Sequence, residues 1–99
     1  MMPRSTSYHK KLIEDLKNSL EAASYIEVVL EEGDPKMLRK ALKNVIEAQG
    51  GIHRLSEQAQ ECYEKLERTL LEKEEVEFYC FNALLDALGL HLAVTVKSI

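Results

Sequence analysis

Two cysteines, three histidines and a dense run of glutamates are the side chains here that could carry chemistry. Cys62 and Cys80 lack the CxxC spacing of a zinc or redox pair, and their sequence context reads as reduced thiols in or near a core. His9 and His91 lie far apart with no E-H or H-x-H spacing around them, so no metal site is expected. The glutamates between residues 57 and 77 come with no Ser/His or Cys/His arrangement and no glycine-rich phosphate loop. Catalysis is therefore not expected, and neither is a cofactor. Tyr63, Phe78, Tyr79 and Phe81 fall at helical spacing and read as core or interface. What remains is binding, and the acidic run includes QECYEKLERT, residues 60–69. Its two cations, Lys65 and Arg68, each follow a glutamate by four residues, Glu61 and Glu64, in the favourable orientation for pairing along a helix.

The net charge of -4 is unevenly placed. Residues 1–48 hold eight Lys/Arg against eight Asp/Glu and cancel, whereas residues 57–77 hold three against eight, a local net of -5. Bringing that segment to a polyanion costs Coulomb energy, and few cations are free to release counterions. DNA affinity is expected to be weak. With 45% hydrophobic and 30% charged residues the chain reads as a single soluble domain over 1–99. No apolar run approaches the ~20 residues of a bilayer span, and the first residues lack a signal-peptide core. A cytoplasmic protein without membrane contact is expected.

The elements that must position these residues are helical. Tyr8, Leu12 and Leu16 recur at i+4 and predict a first helix from Ser7 to about Lys17. Asn18 or Ser19 caps a second, with Ala22, Ile26, Val29 and Leu30 inward and Gly33 as its left-handed stop. Asp34 and Pro35 start a third: the carboxylate accepts from free N–H groups, and proline has no N–H to waste in a first turn. Leu38, Ala41, Leu42, Val45 and Ile46 form its stripe, and Gly50 with Gly51 closes it. No Gly or Pro then appears until Gly89, so at least two helices share residues 52–88. Leu55, Tyr63, Leu66 and Leu70 supply one set of inward positions, and Phe81, Leu84, Leu85 and Leu88 the last. After Gly89 the period becomes two, with Leu90, Leu92, Val94 and Val96 alternating, which predicts a strand over 90–96. A lone strand needs a partner, and the same strand from a second copy supplies one, so a homodimer through Leu90, Leu92, Val94 and Val96 is expected.

The start Y-H-x-x-L-I-x-x-L-K, the centre A-x-Y-(I/L)-x-x-x-L-E-E-G-D-P and the end A-L-x-x-V-x-E-A-x-G-G are all present between residues 8 and 51, and ALGLHLAV follows at 87–94. In these the chain resembles the probable addiction-module antidote proteins. The resemblance implies an all-α fold of about five helices containing a lambda-repressor-like helix-turn-helix. It also implies an antitoxin-type transcriptional regulator that neutralises a small RelE-like toxin and binds operator DNA. By position, residues 52–59 would be the first helix of the motif, Gln60 and Glu61 the turn, and residues 62–71 the recognition helix. His53, Tyr63, Lys65 and Arg68 would then be the DNA contacts. The chain departs from the family at two punctuation marks. Gln60 replaces the turn glycine, and Glu74, Glu75 and Val76 replace a Gly-Asn-Pro loop. Both changes predict a more continuous helix over 52–75 than the family pattern has. A second function follows from them, a protein-interaction module of the same fold that has lost DNA binding.

Overall fold

In the computed structural model, which describes residues 3–94 with side chains from Ser7 onward, the described residues form five α-helices and one short 3-10 turn. Helix α1 spans Pro3–Leu16, α2 Ser19–Glu32, α3 Pro35–Ala48, α4 Glu57–Glu72 and α5 Phe78–Ala87, with the 3-10 turn at Ile52–Arg54 between α3 and α4. The first boundaries follow the cap chemistry of the sequence. Asn18 Oδ1 accepts from the backbone N–H groups of Leu20 and Glu21 at 2.9 and 3.2 Å, and Gly33 ends α2 in the left-handed conformation at φ 71°. Asp34 Oδ1 accepts from the Lys36 N–H at 2.9 Å, with Pro35 in the first turn of α3.

Helix α3 is the hub. It packs against α1, α2 and α4, and its Leu38, Ala41, Leu42, Val45 and Ile46 are all buried, as its sequence stripe requires. Leu66 and Leu70 of α4 and Phe81, Leu84, Leu85 and Leu88 around α5 complete one core with Ala22, Ile26 and Val29 of α2. Polar ties fix the layers where apolar packing leaves a gap. The Asn44 amide donates to the Tyr25 hydroxyl at 3.1 Å between α3 and α2, and the Gln49 amide donates to the Leu88 carbonyl at 2.8 Å.

Three expectations need correction. Tyr8 lies 71% exposed, so the inward face of α1 is Leu12, Ile13 and Leu16, and Leu30 of α2 is 38% exposed. Residues 90–94 form no strand: the Leu90 N–H is taken by the Leu85 carbonyl at 2.8 Å, which folds the chain back over the end of α5. Leu90 is half-buried against the core, while Leu92 and Val94 point outward. Alternation marks which residues can be buried, but a strand also needs a ladder partner, and the described residues hold none. Val96 lies outside the described residues.

Candidate nucleic-acid interface

The expected helix-turn-helix is replaced by a different arrangement. Ser56 caps α4, its hydroxyl accepting from the Ala59 N–H at 3.1 Å, and the helix then runs unbroken through Gln60 and Glu61. The Gln60 N–H donates to the Ser56 carbonyl at 2.9 Å, as an interior helical residue does, and its side-chain amide donates to the Leu55 carbonyl at 2.9 Å. A glutamine favours that register because it carries no penalty for right-handed backbone and caps a free carbonyl of the preceding turn. The helical continuity expected across 60 and 61 is therefore present, but the break falls earlier, at Leu55 and Ser56. The expected first helix over 52–59 is reduced to the 3-10 turn followed by the first residues of α4.

The far end of α4 departs from expectation the other way. Glu74 takes a left-handed backbone at φ 56°, and the chain turns there, with the Glu75 N–H donating to the Thr69 carbonyl at 3.2 Å. The turn that the family marks with glycine is kept, although the residue is a glutamate. Glu77 then caps α5, its carboxylate accepting from the Cys80 N–H at 2.7 Å. That bond, followed by smaller contributions including the field of Lys65, holds the Glu77 carboxyl below its ordinary value.

The structure brings two of the four expected DNA contacts together. Lys65 and Arg68 are exposed one turn apart on α4 and share a face. Around them stand the exposed Glu57, Glu61, Glu64 and Glu72. The pairings expected with Glu61 and Glu64 are not formed; the ion pairs among the described residues lie elsewhere. His53 is exposed on the 3-10 turn, one element earlier. Tyr63 is half-buried and occupied, its hydroxyl donating to Glu67 Oε2 at 3.4 Å. Burial, then the Glu67 carboxylate, hold the Tyr63 phenol above its ordinary value against the opposing pull of Arg39.

Glu67 stands apart from the other glutamates of the acidic run. It is no part of a solvated acidic face: its Oε2 also pairs with Arg39 Nη2 at 3.2 Å, tying α4 to α3. Arg39 Nε is buried with no partner, so that carboxylate is what holds the guanidinium in place. The signal was an arginine set between Leu38 and Leu42 on the apolar side of α3. Behind the same surface Cys62 and Cys80 meet, half-buried, across α4 and α5. Burial first, then the hydrogen bond with Cys62 and the neighbouring Glu77 carboxylate, push the Cys80 thiol up to about 12. A thiol so held is a packing group at neutral pH rather than a nucleophile.

A second surface has no counterpart in the sequence reading. Between the outer face of α2 and residues 85–93 runs an open apolar groove of about 460 Å³, lined by Leu20, Ala23, Ile26, Leu30, Leu90 and Leu92 among others. The signal was Leu20 and Ala23, apolar at i and i+3 beside the buried stripe of α2.

These features define a small helical protein with one mixed-charge helix face and one apolar groove. No helix among the described residues is long and apolar enough to cross a membrane. The chain belongs to a known family: the family model described as probable addiction module antidote protein matches residues 8–96. No curated protein and no solved structure matches it.

Proposed function

We propose that this chain is the antitoxin of a toxin–antitoxin module and that it acts chiefly by binding its partner toxin. The observation that carries the reading is the family match across residues 8–96. The family expectation of a small RelE-like toxin and of operator DNA comes with it, and so does a homodimer, since operator half-sites are read in pairs. The role is one of binding, in the cytoplasm, without catalysis.

A specific observation favours the second reading, in which the scaffold has given up DNA. A recognition helix must stand free of its neighbour and bring cations to phosphates and polar groups to base edges. Here the helix continues through Gln60 and Glu61, and its exposed face carries Lys65 and Arg68 among four glutamates. Two phosphate contacts would give a salt slope of only about -2, a small electrostatic share of binding.

The two readings separate in two assays. Co-expression with the product of the adjacent reading frame tests neutralisation, and failure to relieve its toxicity would remove the antitoxin role. A gel shift on the protein's own upstream DNA tests the regulator. Micromolar or weaker, sequence-independent binding is expected. Sub-micromolar specific binding that disappears in Lys65→Ala with Arg68→Ala would restore DNA readout to α4.

A further inference from the structure

The walls of the apolar groove carry acids and no lysine or arginine. Helix α2, SLEAASYIEVVLEE, contains Glu21, Glu27, Glu31 and Glu32 and no lysine or arginine. The facing segment, residues 85–93, likewise holds no lysine or arginine, in a chain that has thirteen; His91 lines the groove there, and Asp86 lies on the same segment outside the lining. Glu27 lines the groove, and Glu31 stands one turn further along α2 at i+4, where like charges repel. Neither takes part in any ion pair among the described residues. Between these acids the surface is apolar: Leu20 is 79% exposed and Leu30 38%. Exposed apolar surface rimmed by one sign of charge is the mark of a docking site rather than of a solvated helix.

We propose that the groove between α2 and residues 85–93 docks a basic amphipathic segment of the protein this antitoxin neutralises, with apolar side chains between Leu20, Leu30 and Leu92 and Lys or Arg on Glu27 and Glu31. The proposal rests on the antitoxin reading for the identity of the partner. The chemistry of the segment follows from the groove itself. A cation placed beside Glu27 and Glu31 relieves their mutual repulsion, while an acidic segment would add to it, so charge selects the partner and apolar burial holds it. Among the described residues the groove is open rather than enclosed, which suits a helix or extended chain better than an enclosed small molecule.

The test uses the full chain, isotope-labelled, titrated with a synthetic helix-forming peptide that has leucines at i, i+3, i+4 and i+7 and lysines on its other faces. A counterpart with glutamate for every lysine is the control. Amide shifts confined to α2 and residues 85–93, seen with the lysine peptide alone, are expected. Leu20→Asp weakens that binding more than about tenfold, as loss of an apolar anchor does. Glu27→Lys with Glu31→Lys weakens it about fivefold, in keeping with two exposed pairs, and gives the glutamate peptide measurable affinity. All three residues are exposed, so unchanged circular dichroism is expected of the variants. No shift, shifts on α4, or equal binding of both peptides overturns the proposal. So does a wild type that sediments as a dimer and a Leu20→Asp variant that sediments as a monomer, which would give the groove to a second copy. Co-expression separates the two levels. If wild type neutralises the adjacent gene product and folded Leu20→Asp does so equally, the groove is wrong and the antitoxin reading stands. If wild type fails to neutralise, the antitoxin reading falls, and the peptide titration still decides what the groove selects.

Discussion

Gln60 and Glu74 both stand where the family pattern has glycine, yet returning glycine to each should move stability in opposite directions. Gln60 is an interior residue of α4 whose side chain donates to the Leu55 carbonyl at 2.9 Å. Gln60→Gly loses that bond, worth about 0.5–1.5 kcal/mol, and adds a helix-interior glycine at about 0.5–1 kcal/mol, a total of roughly 1–2.5 kcal/mol. Gln60→Ala loses only the bond and isolates the two parts. Glu74 holds φ 56°, where a side chain costs roughly 1–2 kcal/mol; the extra freedom glycine gives the unfolded chain offsets about half, so Glu74→Gly stabilises by about 0.5–1 kcal/mol. Urea unfolding followed by circular dichroism reads both. With a slope of about 1–3 kcal/mol per molar, the midpoint falls by roughly 0.5–1 M for Gln60→Gly and rises by a few tenths for Glu74→Gly. The positions lie about 20 Å apart along the helix, so the double variant should be additive. Gln60→Gly as stable as Gln60→Ala, or shifts of the same sign at both sites, would refute the continuous α4.

Three more outcomes follow from the structure. Glu67→Gln should cost about 1–2 kcal/mol, because it leaves the Arg39 guanidinium half-buried without its carboxylate, while Arg39→Met is nearly neutral and the double variant recovers most of the loss; a third of the pair is exposed, which keeps the figure well below that of a buried pair. At pH 8.5 a thiol reagent should label Cys62 well before Cys80, and equal rates would contradict the contact between them. Cys80 keeps its proton in the folded state up to about 12, whereas an unfolded thiol releases it near 8.5, so stability is complete below about 8.5 and falls as pH rises toward 12. Urea midpoints between pH 8 and 9.5, compared with Cys80→Ala, should show that fall in wild type alone.

The first half of the fold was legible in the sequence because each boundary carried its own chemistry. Asn18, Gly33 and the Asp34–Pro35 pair are local signals that need no tertiary context, and the stripe of α3 was complete because it packs on three neighbours. The second half was harder, since Ser56 is an ordinary cap in a segment with no glycine or proline, and a helix start of that kind is visible only when the residues before it are known to stop. Glu74 was unreadable for a related reason: a glutamate in a left-handed turn follows from the geometry on either side and leaves no mark in its own type. The strand expected over 90–96 was a correct reading of period and, over its described residues 90–94, a wrong reading of structure. Burial of Leu90 against the core explains its first position, but no partner among the described residues extends the pattern. Of the site, exposure of Lys65 and Arg68 was legible, while the capture of Glu67 by Arg39 required a contact across 28 positions of chain, from 39 to 67.

Helix continuity and charge bear on DNA binding separately, and in this chain they change together. A fused helix could still read DNA if its exposed face were basic, and an acidic face could still be tolerated on a helix presented clear of its neighbour. On the proposed reading that DNA affinity is weak, presentation and counterion release fall at once. The groove is a separate surface. The groove on α2 leaves Leu20 and Leu30 open to solvent beside Glu27 and Glu31, neither of them in an ion pair among the described residues, as a docking surface does. If selection held one face and released the other, exchanging the whole exposed face of α4 for lysine should leave toxin neutralisation intact, while a single aspartate at Leu20 should remove it. A neutralisation assay on the two variants side by side measures this directly, and loss in the first with retention in the second would reverse the assignment of the faces.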